Sequence, residues 1–71
     1  MDEVEETYLV MEALHDLSNR DNIWTKNYTS FIGMTPTARV WWWRAAKKQA
    51  KADVPAMRTL LAEFIKLRIL K

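Results

Sequence analysis

Two prolines fix where this chain can start a helix. Proline lacks the amide hydrogen that an inner helical turn needs, so it suits a first turn and breaks any other. The pair Thr35-Pro36 therefore reads as a start, with Thr35 as N-cap and Pro36 at the first helical position. That helix is predicted to run to about Ala52, where Asp53-Val54-Pro55 breaks it. Pro55 then opens a last helix to about Leu70. Met57, Leu60, Leu61, Phe64 and Leu67 recur along it at helical spacing. Lys66, Arg68 and Lys71 suit its C-terminal dipole. Arg68 falls within the apolar stripe. Either it snorkels at a fraying end, or it pairs with an acid of the first helix or of another subunit.

Residues 2–18 read as another helix. Asp2 can cap it, and Glu5 three residues on completes a capping box. Val4, Tyr8, Met11, Leu14 and His15 share one side, extended by Val10 and Leu17. Asp2, Glu5, Glu12 and Asp16 take the other. The polar stretch Ser18 to Asn22 ends the helix, because its side chains compete with the backbone for hydrogen bonds. Between Ile23 and Met34 the apolar spacing is mixed. A short helix around Lys26 to Ile32, stopped by Gly33, is the reading, with a short strand as the alternative.

Together these elements predict an all-α fold: one helical domain over residues 1–71, with three main helices and a short fourth element. A chain of 71 residues buries only about 60% of its unfolded surface, so its core is marginal. With no cysteine there is no disulfide to support it, and one histidine without thiols offers no zinc spacing. The acidic start is unlike a signal peptide, and no apolar run approaches the roughly 20 residues of a membrane span. The expected location is cytoplasmic.

Net charge is +2, but it is unevenly spread. Residues 1–19 hold six acids and no Lys or Arg. Residues 20–71 hold all eleven Lys and Arg against three acids, a net of +8. Such a division implies an anionic partner or internal pairing.

Three consecutive tryptophans enter the basic part. At about 100° per residue, Trp41, Trp42 and Trp43 span about 200° of a helix. Ala38, Trp41, Trp42, Ala45, Gln49 and Ala52 form one face, which makes Trp41 and Trp42 the expected core residues. Arg44, Lys47, Lys48 and Lys51 cluster opposite. Trp43 falls at the edge, between Arg39 and Lys47 in an i, i+4 line. Trp43 either packs under the acidic helix or the middle segment, or stays partly exposed among Arg39, Arg44 and Lys47. In the second case it is an aromatic contact for nucleic acid or protein.

The stretch from Tyr28 to Arg44 resembles a helix-turn-helix. Gly33 stands as the turn glycine, Thr29 is small where the pattern wants a small residue, and Tyr28, Ile32 and Met34 fall at apolar positions. Arg39 departs from the pattern, which keeps that position apolar. The resemblance implies that the helix from Pro36 is the recognition helix, with Thr37, Arg39, Trp43 and Arg44 as contacts. The segment Gly33-Met34-Thr35-Pro36-Thr37-Ala38-Arg39 also looks like one found in phage small terminase subunits.

Catalysis finds no constellation. His15 is alone, Asp16 beside it points elsewhere on a helix, and no glycine-rich loop accompanies Ser18. No loop has calcium-type ligand spacing, and no metal or cofactor is expected. The expected function is non-enzymatic binding: a small nucleic-acid-binding regulator using the helix 36–52. Its site residues are Thr37, Arg39, Trp43, Arg44, Lys47, Lys48 and Lys51. The rival is a protein-interaction module, as an adaptor, an inhibitor or an oligomeric phage-type protein. Its motive is an apolar surplus: Trp24, Val40, Trp43, Ile69 and Leu70 do not all fit one small core.

Overall fold

A computed structural model describes residues 1–70. Lys71, expected at the cationic end of the last helix, lies outside the described residues. The fold is all-helical: α1 (Glu3–Arg20), a single 3-10 turn (Asn22–Trp24), α2 (Thr25–Ile32), α3 (Pro36–Lys51) and α4 (Pro55–Leu70). No strand occurs among the described residues, so the strand alternative for the middle segment is removed.

The caps explain the boundaries. The Asp2 carboxylate accepts from the Glu5 amide at 2.8 Å, and the Glu5 carboxylate accepts in return from the Asp2 amide at 3.5 Å. Glu3, Glu5 and Glu6 fill the first turn of α1, where the macrodipole favours acids. This helix runs two residues past Ser18, because Ser18 Oγ bonds back to the His15 carbonyl inside the helix and does not interrupt it. The stop comes at Asp21, whose amide closes on the Leu17 carbonyl while its side chain accepts from the Ile23 amide and starts the 3-10 turn.

Thr35 caps α3 by accepting from the Ala38 amide at 3.2 Å. At the far end of α3 the chain turns through Asp53, whose φ of 64° lies in the left-handed region. The Asp53 amide bonds to the Ala50 carbonyl and the Val54 amide to the Gln49 carbonyl. That is a Schellman ending with aspartate where glycine is usual. Gly33, by contrast, has φ −81° and uses no conformation reserved for glycine.

The core draws on every element. Val10, Ala13 and Leu14 of α1 meet Trp24, Phe31, Trp43 and Ala46, with Leu60 and Phe64 of α4 completing the cluster. Trp43 packs against Phe64 with ring centroids 4.8 Å apart and planes tilted by 53°, and Trp42 meets Phe31 edge-on at 5.2 Å.

This arrangement corrects one expectation and decides another: Trp41, expected in the core, is exposed, Trp42 packs against the core as expected, and Trp43 takes the buried one of its two readings. Trp43 is 2% exposed, Trp42 is half-buried, and Trp41 is 62% exposed. The buried alanines of α3 are Ala46 and Ala50, three and seven residues after Trp43. Ala38, Ala45 and Ala52 are exposed. The helix is therefore rotated from the orientation that the exposed alanines suggested. Trp24 is buried as well, so of the five residues expected as apolar surplus Val40 is half-buried and Ile69 and Leu70 remain exposed, joined by others such as Ile23, Trp41 and Ile65. Arg68 is exposed; the charge buried in the α4 stripe is Glu63, which is ion-paired with Arg20.

One cost remains in this core. The Trp43 indole Nε1 is buried without a hydrogen-bond partner. An unmet donor costs about 1–3 kcal/mol, whereas the ring fills the centre. Trp43→Ala should lower unfolding free energy by about 3–5 kcal/mol. Trp43→Phe, which removes the donor and keeps a ring, should stay within about 1 kcal/mol of the parent. Denaturant melts of both variants check this, and equal losses would contradict the packing account.

Candidate functional site

The outer face of α3 gathers the one exposed tryptophan and most of the basic residues expected at the site. Trp41 points away from the core because Trp43, two residues on, must face it. The Arg44 guanidinium lies over the Trp41 ring, 4.6 Å from its centroid. The stack covers one face of the indole and leaves the ring mostly open.

Arg44 is itself held from α1. Its Nε and Nη2 donate to the Glu3 carboxylate at 2.6 and 2.5 Å, a two-pronged contact. Hydrogen bonds from Arg44 hold the Glu3 carboxyl below the usual carboxylate range, and Glu3 raises Arg44 in turn. Lys47 is half-buried. Its ammonium sits 3.9 Å from Glu6 and 5.6 Å from the Trp43 ring centroid. Part of the opposite charge of the two halves of the chain is thus paired internally. Lys48 and Lys51 are exposed and make no ion pair among the described residues. Together Trp41, Arg44, Ala45, Lys47, Lys48 and Lys51 line a shallow depression of about 470 Å³.

The expected site residues divide accordingly. Thr37, Arg44, Lys48 and Lys51 are on the surface. Trp43 is not available to a partner, because it is core. Arg39 is half-buried and turned back on α2, where Nε donates to the Phe31 carbonyl at 3.0 Å and Nη2 to the Ile32 carbonyl at 2.8 Å. These are last-turn carbonyls of α2, where the negative end of the helix dipole suits a cation; the Phe31 carbonyl also accepts from the Met34 amide at 3.1 Å. Arg39, expected as a contact for a partner, is thus engaged inside the fold. Trp41, expected in the core, is the aromatic residue exposed on this face. Its signal was the i, i+3 spacing to Arg44 and the i, i+4, i+7 line to Ala45 and Lys48.

Elsewhere the chemistry is sparse. His15 is exposed, with its ring 5.2 Å from that of Tyr28. No group of three or more His, Asp or Glu among the described residues could hold a metal ion. No helix among them is long and apolar enough to cross a membrane.

The Glu3–Arg44 pair has a definite pH signature. Glu3 has a folded pKa below its unfolded value, so the stability it adds is full above the unfolded pKa and fades as pH falls through the folded one. Glu3→Gln should therefore be less stable than the parent at neutral pH, by a small margin because the pair is exposed. The margin should close in acid. Melting temperatures from neutral pH down to the carboxylate range check this, and a margin that widens in acid would contradict it.

No protein-family model matches this chain, and neither a curated protein nor a solved structure does.

Proposed function

We propose that this protein is a small, non-enzymatic nucleic-acid-binding protein of regulatory type that works through the outer face of α3. The observation that carries this reading is an exposed tryptophan beside two lysines that make no ion pair among the described residues, all on one helix. Lysines neutralise phosphates and release counterions, which gives affinity without sequence preference. An aromatic ring adds a surface on which a base can stack. Arg44 contributes to the face, although Glu3 competes with phosphate for it. The contact set is therefore Thr37, Trp41, Arg44, Lys48 and Lys51, with Lys47 at the edge. The helix-turn-helix reading names the same helix for docking, but two of its contacts, Arg39 and Trp43, are engaged inside the fold.

A second reading is favoured by one feature. Ile65, Ile69 and Leu70 of α4 are exposed at 45%, 78% and 72%, which fits a protein-interaction module or an oligomer completed by another chain. Under this reading sedimentation should show mass rising with concentration, and a monomer at every concentration would reject self-association.

Under the nucleic-acid reading, the double variant Lys48→Gln with Lys51→Gln should bind more weakly at every sequence. Its plot of log affinity against log salt should flatten by roughly one unit per lost phosphate contact. Anisotropy titrations at several salt concentrations measure both. Unchanged affinity and slope would remove this face from the reading.

A further inference from the structure

The charges on α3 are one-sided, and this bears on which form of nucleic acid the face accepts. To one side of the Trp41–Ala45 line lie Arg44, Lys48 and Lys51. Beyond them stand Glu3 and Glu6, the carboxylates of α1 that face Arg44 and Lys47. To the other side the exposed residues of α3 itself are Ala38 and Gln49, which carry no charge. The cations of α3 thus gather to one side of Trp41, as the i, i+4 pairs Arg44–Lys48 and Lys47–Lys51, and the α1 carboxylates stand beyond them.

A duplex presents two phosphate rows, one on each wall of a groove. Laid along this face, only one row would meet cations. The other would meet the α1 carboxylates or the uncharged residues of α3. The aromatic geometry points the same way. One face of the Trp41 indole is closed by Arg44, and the rest of the ring projects outward beside Ala45. A duplex base has both its faces covered by its neighbours and offers an indole nothing to stack on. An unpaired base has a free face, and stacking of this kind tolerates any sequence. From Trp41 to Lys48 is seven residues, about 10.5 Å along the axis. A flexible strand can place phosphates on Lys48 and Lys51 while turning a base back to Trp41.

We infer that the outer face of α3 takes single-stranded nucleic acid, with one phosphodiester backbone on Lys48 and Lys51 and an unpaired base stacked on Trp41. This rests on the nucleic-acid reading of that face and narrows it. The shared chemistry is an unpaired base on a phosphodiester strand, supplied by either DNA or RNA.

The test uses the full chain with four end-labelled probes of equal length: oligo(dT), oligo(U), a mixed-sequence single strand and its duplex. Binding is followed by anisotropy at fixed salt. The single strands should bind at least about tenfold more tightly than the duplex. Trp41→Ala should weaken single-strand binding by about 5- to 150-fold and leave duplex binding unchanged. Trp41→Phe should recover most of the loss, since a ring remains. Trp41 is exposed, so its variants should fold, and circular dichroism verifies this. A preference for oligo(U) or oligo(dT) supports the inference and names RNA or DNA as the source. Equal or tighter binding of the duplex, or Trp41→Ala binding single strands like the parent, overturns it. In either case loss of affinity in the Lys48→Gln, Lys51→Gln variant would keep the broader reading intact. If no probe binds, both fall, and a protein partner for the face takes their place.

Discussion

Trp43 packs on Phe64 with ring centroids 4.8 Å apart, and this contact sets the rotation of α3. A helix of 16 residues has one rotational freedom once its axis is placed. Burying Trp43, and not the equally large Trp41, against Phe64 fixes it. Ala46 and Ala50 then turn inward with Trp43, and their small size lets neighbouring helices approach. Trp42 falls at the margin, where it closes on Phe31. Trp41 and Lys48 are left on the far side. The composition of the outer face is thus a consequence of core packing.

The acidic first helix then determines how much of the basic charge remains for a partner. Glu3 engages Arg44 through two hydrogen bonds, and Glu6 stands near Lys47. Exposed pairs of this kind add little stability. Their larger effect is positional. Arg44 is tied at one end to α1 and lies over Trp41, which narrows the orientations open to the indole. A preorganised ring pays less on binding than a free one. The same carboxylates also oppose any anion at Arg44, so the unpaired charge is concentrated at Lys48 and Lys51.

Helix boundaries were legible because their causes are local. Asp2 with Glu5, Thr35 with Pro36, and Pro55 each act within one turn, and α3 and α4 begin where these residues predict. The rotation of α3 was not legible, because it depends on what lies opposite. Alanines occur on both sides of this helix, and the sequence alone does not say which set is covered. Arg39 misled for a similar reason. Its partners are carbonyls of α2, and a backbone acceptor leaves no mark in a sequence pattern. The cationic character of Arg44, Lys48 and Lys51 is legible in the sequence, whereas which tryptophan stands beside them depends on the rotation of α3. Glu63 shows the same limit: its partner Arg20 lies 43 positions away.

Exposure alone does not single out Trp41. Small proteins leave many apolar side chains in water, and Met1, Val4, Ile23, Ile69 and Leu70 are exposed here too. Met1 and Val4 stand in the acidic first turn of the chain, where an anion is repelled. Ile69 and Leu70 sit at the end of α4. Trp41 differs in three physical respects. It lies in the first half of a helix whose far side is packed into the core, so it is carried on a rigid support. A guanidinium is stacked on it, so its orientation is restrained. The unpaired cations of α3 follow it on one side only. Removing the stack would leave a loose aromatic, removing the lysines would leave a neutral patch, and rotating the helix would bury the ring. The face has its character only while Trp43 stays in the core, so the stability of this small fold and the geometry of its outer face depend on the same residue.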